Sequence, residues 1–215
     1  MKPFAWILGL GLACPLVAGC GKSAAPGGCE RPAAEPDAAE EARARRADEL
    51  LGSGERALGA KRFAEAVEDL EGAVRLRDAP PTRELLRRAH SARLNGLWLL
   101  SRREGASGSL EVKGLTEGLL FEGGKVTAVR AAQGGPVAEG DSGSYTLDVS
   151  KSPRVIDIRW DKGGGKVAPH LGIYRLEKES LVISWGEPAG EDRPREFDPG
   201  RAEVRYYARA ERGKG

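Results

Sequence analysis

Histidine and cysteine are scarce in this sequence, and this limits the chemistry that its side chains can support. Two histidines and three cysteines in 215 residues are too few for a disulfide framework and leave almost no ligands for a zinc site. A basic excess is also missing, since 34 Lys plus Arg stand against 32 Asp plus Glu, a net charge of +2. Nucleic-acid-binding proteins normally carry such an excess. We therefore expect no nucleic-acid partner, no metal and no cofactor.

Long hydrophobic runs are absent after the first twenty residues. The apolar run Phe4–Val17 has about 14 residues, whereas a helix needs about 20 to span a bilayer. It follows the positively charged start Met1-Lys2. Length and flanks together predict a signal peptide over residues 1–19.

The signal peptide ends in Leu16-Val17-Ala18-Gly19-Cys20, which resembles the lipobox of bacterial lipoproteins. The resemblance implies that the chain is cut before Cys20 and that its thiol carries lipid, palmitate among the acyl groups. Several acyl chains hold a protein firmly on a membrane. The expected location is the cell envelope. Gly21 favours the periplasmic face of the outer membrane over the inner membrane.

A stretch of small residues and prolines follows, over residues 20–36. It shows no apolar periodicity, so we predict a disordered tether between the lipid anchor and the folded part.

Helical periodicity begins after Asp37-Ala-Ala-Glu40, which has the form of a capping box. Two amphipathic helices separated by a break at residues 59–62 predict a helical hairpin, and a third helix is predicted over 83–94. His90 on that third helix is expected on a solvated face. The apolar or small positions of the hairpin are Ala47, Leu50, Leu51, Gly54, Ala57, Leu58, Phe63, Ala66, Val67, Leu70, Ala73 and Val74.

The stretch Ala47–Pro80 resembles one tetratricopeptide repeat of about 34 residues. Gly54 and Phe63 occupy its small and aromatic positions, and Ala66 and Ala73 its further small positions. The resemblance implies a surface for docking a protein partner. One and a half repeats cannot form the concave groove of such arrays, so a helical spacer or a dimerising element is the alternative. We assign residues 37–94 to this helical domain.

Short β patterns replace alanine-rich helix patterns near Leu94. Antiparallel strands at this spacing favour a barrel or a sandwich, and an eight-stranded barrel is either filled by side chains or holds one small ligand. The eight predicted strands cover residues 97–103, 118–122, 125–130, 144–148, 154–161, 171–177, 181–187 and 203–209.

The tripeptide Gly96-Leu97-Trp98 resembles the start of the first strand in lipocalins. The resemblance implies that Trp98 plugs the closed end of the barrel, with Arg205 or Arg209 across its ring. A longer stretch, about 94–212, resembles an uncharacterised domain family abundant in planctomycetes, with a presumed lipocalin-like barrel and no established activity. The matching segments are Leu94–Trp98, Gly143–Asp157, Leu171–Glu177 and Arg193–Phe197.

We therefore predict an α+β, multi-domain protein: a helical hairpin followed by an antiparallel eight-stranded lipocalin-like barrel over residues 95–212. Large aromatic side chains fill this barrel or line a hollow for an apolar ligand. The candidate ligand-binding residues are Trp98, Tyr145, Trp160, Tyr174 and Trp185.

Catalytic motifs are not recognisable in the sequence. Gly-x-Ser-x-Gly is missing, and Asp148 with His170 and a serine could form a triad only by chance. The polar residues around Asp148 and Ser150 predict side-chain turns, with an anion site at a barrel mouth as the alternative. We expect a non-enzymatic scaffold that binds a protein through its hairpin. The alternative is a carrier of a small apolar ligand.

Overall fold

The computed structural model describes residues 37–112, 116–131, 137–161, 169–186 and 192–210. Within these ranges three helices precede nine antiparallel strands, eight of which close into a barrel. The predicted α+β class and the eight-stranded barrel are therefore confirmed. The signal peptide, Cys20, the tether and the glycine-rich segment 163–165 lie outside the described residues.

The helices begin and end close to the predicted positions. Helix α1 (Ala38–Gly59) and helix α2 (Phe63–Leu76) form a hairpin, and helix α3 (Pro80–Leu94) packs on α2. The Asp37 carboxylate accepts a hydrogen bond from the Ala39 amide, as the capping pattern predicts. None of these described helices combines the length and apolar character that crossing a membrane requires. The buried side chains between them are Ala57, Ala66, Val67, Leu70, Leu86 and Ala89.

Helices α1 and α2 pack closely at Gly54. A Cβ atom added there would lie 2.7 Å from Cγ of Leu70, which is itself fully buried. Gly52, two residues earlier, has only the end of the Arg56 side chain near it, at 3.4 Å. The absence of a side chain at Gly54 thus allows the two helices to pack this closely.

We expect Gly54→Ala and Gly52→Ala to change stability in opposite directions. Alanine raises helix stability by about 1 kcal/mol over glycine, and Gly52→Ala should retain most of that gain. At Gly54 overpacking against Leu70 costs about 2 kcal/mol, so the net effect should be a loss of about 1 kcal/mol. Urea unfolding of both variants tests this, and a gain at both positions would contradict the packing argument.

Each strand of the barrel pairs with its neighbour in sequence, and β1 pairs with β9 to close the ring. The Gly123-Gly124 turn joins β3 to β4 with both glycines at positive φ, 57° and 87°, as a two-residue hairpin turn requires. The strands are β1 Gly96–Gly105, β2 Gly108–Glu111, β3 Thr116–Glu122, β4 Lys125–Ala131, β5 Val137–Asp148, β6 Arg154–Trp160, β7 His170–Leu176, β8 Ser180–Trp185 and β9 Glu203–Arg209.

Two strand assignments differ from the prediction. The short strand β2 was not expected; it pairs with the second half of β1 and extends the sheet beyond the barrel. Strand β5 begins at Val137 instead of Ser144. Its first half contains Gly140, Asp141 and Ser142, residues typical of turns, but pairing with β4 holds it extended. Tertiary pairing outweighs local propensity here.

The connection from β8 to β9 is attached to the outside of the barrel by Arg193. Its guanidinium donates hydrogen bonds to both carboxylate oxygens of Asp157 on β6, at 2.5 and 3.1 Å, and to the Gly172 carbonyl on β7. A fork of this kind fixes position as well as charge. Arg193, the first residue of the Arg193–Phe197 segment, therefore has a structural role: it fastens this connection to β6 and β7.

Candidate functional site

Trp98 closes the end of the barrel nearest the helices, which we call the base. Its side chain is 1% exposed, and its indole N–H donates to the Leu94 carbonyl at 2.6 Å. The Arg209 guanidinium lies over the ring, 5.1 Å from its centroid, and donates to the Asn95 carbonyl. Of the two arginines left open by the sequence, Arg209 is the one that covers Trp98, as a cation–π contact.

Two tyrosines attach helix α3 to the base. The Tyr145 hydroxyl shares a hydrogen bond with the Ser91 hydroxyl at 2.9 Å, and the Tyr174 hydroxyl shares one with Nδ1 of His90 at 3.0 Å. Burial raises the pKa of both tyrosines, so the hydroxyls stay neutral and keep these bonds at physiological pH. Both tyrosine side chains therefore have a structural role, since they connect the base of the barrel to α3.

His90 is fully buried, which corrects the expectation of a solvated helix face. It packs between Tyr174 and Glu71, with Nε2 3.5 Å from a carboxylate oxygen of Glu71 and without hydrogen-bond geometry. Burial lowers the pKa of His90, and Arg154 nearby lowers it further, so the ring is neutral at pH 7. His90 is buried because Tyr174 on β7 packs against it, a long-range contact that the periodicity of the helix sequence does not predict.

A cavity of about 450 Å³ occupies the opposite end of the barrel, which we call the far end. His170 lies edge-on to Trp160 and Trp185, with ring centroids 6.4 and 6.3 Å apart. His170 is exposed, so the cavity reaches the protein surface. Aromatic walls of this kind suit a flat or apolar ligand. The largest apolar and aromatic side chains in the lining are Leu119, Trp160, His170, Trp185 and Tyr207.

A second hollow of about 460 Å³ adjoins the first, beside β3, β4 and β5. The two share Leu119, Trp160, Arg205 and Tyr207 in their linings. The far half of the barrel therefore contains unfilled space, whereas the side chains of Trp98, Tyr145 and Tyr174 occupy the interior near the base. The sequence left open whether aromatic side chains fill the barrel or line a hollow in it. The structure shows buried aromatic side chains near the base and a hollow at the far end.

Charged side chains lie beside this space. Arg205 donates two hydrogen bonds to Glu203, at 3.0 and 2.9 Å, and Arg103 is hydrogen-bonded to Glu117. Burial works against the charge of Arg205, but Glu203 outweighs it and raises the pKa of Arg205 above its usual value. Arg205 is therefore a permanent cation in the cavity wall.

The five aromatic residues singled out from the sequence divide between the two ends. Trp160 and Trp185 line the cavity, while Trp98, Tyr145 and Tyr174 lie in the base. Sequence reasoning missed His170, Arg205 and Tyr207 as cavity residues. Alternation along β9 places Arg205 and Tyr207 on the face opposite Val204, and that pattern could have found them.

Asp148 and His170 lie at opposite ends of the barrel, so no triad unites them. The Asp148 carboxylate instead accepts hydrogen bonds from the Ser150 amide and hydroxyl, which confirms the predicted side-chain turn. In the part of the chain that the structure describes, no three His, Cys, Asp or Glu side chains come together as metal ligands.

Comparison with known proteins gives one structural likeness. No protein-family model matches the chain, and no curated protein matches it. Among solved structures, a lipocalin-like protein from Bacteroides uniformis is similar, with 18% sequence identity and a TM-score of 0.36. The match covers 54% of this chain and 98% of that one. The assignment of a closed barrel to this protein is based on its own strand pairings, in which β1 pairs with β9.

Proposed function

We propose that this protein is a non-catalytic binder of one small ligand, held in the far half of its barrel. The observation that carries the proposal is the cavity of about 450 Å³ with Trp160, His170 and Trp185 in its wall. Small-molecule sites have volumes of roughly 300–1,000 Å³ and mostly apolar walls with a few polar groups. The interaction scaffold expected first from the sequence, with a partner protein on the hairpin, stays a prediction.

The sequence patterns outside the described residues complete the proposal. We propose that residues 1–19 are removed as a signal peptide, that Cys20 carries the lipid, and that residues 20–36 tether the protein to the envelope. The periplasmic face of the outer membrane is the proposed location. Residues 37–94 and 95–212 are the proposed bounds of the helical and barrel domains, and the likeness to a tetratricopeptide repeat and to the planctomycete domain stays a prediction.

Native mass spectrometry of the full chain, purified from the envelope in a mild detergent, tests the ligand. We expect an extra mass that is lost after denaturation in organic solvent and that is the same in two detergents of different mass. Acyl groups on Cys20 would persist after denaturation, so the two additions are separable. A bare polypeptide under native conditions, apart from the acyl groups, would overturn the proposed binding function.

A pair of leucine variants on β3 locates the ligand. Leu119 faces the cavity, whereas Leu120 faces the other side of the same strand. Leu119→Trp fills the cavity and should abolish the solvent-extractable mass, while Leu120→Trp should retain it. Equal retention by both variants would place the ligand elsewhere.

A further inference from the structure

The two arginines at the far end face each other across neighbouring strands. Arg103 on β1 and Arg205 on β9 are register partners, and both side chains are about two-thirds buried, with exposed fractions of 32% and 30%. Like charges directly opposite each other repel and destabilise a sheet. Glu117 pairs with Arg103, and Glu203 pairs with Arg205 while lying 3.8 Å from Arg103. These carboxylates offset the repulsion.

The hydrogen-bonding capacity of this cluster is not used up. Nε of Arg103 is buried and has no acceptor among the described residues. A buried donor without a partner costs free energy, and guanidinium groups prefer anionic oxygens. Arg103 does not line the cavity, so Arg205 is the guanidinium of this pair that a ligand in the cavity meets.

The aromatic wall lies next to this cluster. Arg205 lines the same cavity as Trp160 and Trp185, so a ligand in contact with the rings is within the same space as the guanidinium. We propose that the cavity selects amphipathic ligands, with an apolar or aromatic body against the tryptophans and an anionic head group at Arg205. This inference rests on the proposed function and narrows it, because the sequence alone predicts a small apolar ligand without a charged group.

Two fluorescent probes that share the same aromatic rings allow the contribution of the anionic head group to binding to be measured separately from that of the rings. One is 8-anilinonaphthalene-1-sulfonate, which is anionic, and the other is N-phenyl-1-naphthylamine, which lacks the sulfonate. We expect the full chain to bind both. Arg205→Gln should weaken the anionic probe about tenfold, the usual effect of losing one charge-assisted hydrogen bond, and leave the neutral probe unchanged.

Glu203→Gln should have the opposite effect on binding of the anionic probe. Glu203 competes with a ligand anion for Arg205, so its neutralisation should tighten the anionic probe several-fold and leave the neutral probe unchanged. A merely structural role of the cluster would weaken both probes in both variants. Arg102→Gln is the matched control, since that guanidinium lies over the Tyr206 ring, 3.9 Å from its centroid, and not in the cavity lining.

The outcomes distinguish this inference from the proposed function. If both probes bind and Arg205→Gln and Glu203→Gln change them in parallel, selection of an anionic head group is wrong and small-ligand binding stands. If neither probe binds the wild-type chain, the cavity is not a ligand site and both proposals fail.

Discussion

The Trp98→Ala variant should lose about 4 kcal/mol of unfolding free energy, the loss typical of a fully buried tryptophan. The Arg209 guanidinium lies over the Trp98 ring, and the indole N–H of Trp98 donates a hydrogen bond to the Leu94 carbonyl at the end of α3. Truncation leaves both a cavity in the base and an unpaired carbonyl. Denaturant unfolding followed by circular dichroism measures the change.

Trp160→Ala is the matched control for this substitution. Trp160 is half-buried and borders space that is already empty, so its loss removes apolar contact without creating a closed cavity. We expect a cost of about 2 kcal/mol, roughly half that of Trp98→Ala. Equal costs for both variants would mean that the base is no better packed than the far end.

Local patterns in the sequence are enough to predict most of the architecture. Asp37 caps α1, the Gly123-Gly124 pair makes a tight turn, and alternation along β6 places Ile156 and Ile158 inside. Each of these features depends on neighbours within a few residues. Backbone preference and hydrophobic period therefore decide them before any long-range contact forms.

The candidate site depends on contacts that no local pattern contains. His90 is 84 residues away from its hydrogen-bond partner Tyr174, so its burial follows from the docking of α3 on the barrel. The cavity arises where inward side chains of several strands, among them β3, β6, β7 and β9, do not meet, which depends on the geometry of the barrel. Sequence reasoning could identify large aromatic side chains in strands, but not which end of the barrel they fill.

The ion pair between Arg154 on β6 and Glu71 on α2 joins the barrel to the helices. Their side chains are 27% and 23% exposed. Burial raises the pKa of Glu71, but His90 and Arg154 outweigh it, so the pKa lies below its usual value of 4.5. Removing Arg154 would leave a largely buried carboxylate without its principal partner, which is more costly than losing an exposed pair.

Arg154→Met should therefore lower the unfolding free energy by roughly 2–3 kcal/mol at pH 7, which urea titration measures. The loss should shrink as the pH falls from about 7 to about 4. Arg154 lowers the pKa of both His90 and Glu71 in the folded state, so its removal raises both. The folded variant then binds more protons than the folded wild type over this range, and acid destabilises it less.

The matched control for this prediction is Arg159→Met, on the same strand. Arg159 is exposed, so its replacement should change stability by less than about 0.5 kcal/mol at every pH. A difference between Arg154→Met and wild type that stays constant from pH 7 to pH 4 would show that Arg154 contributes packing alone. A difference that narrows would show that its charge sets the protonation of the buried His90 and Glu71, and so connects the helices to the barrel electrostatically.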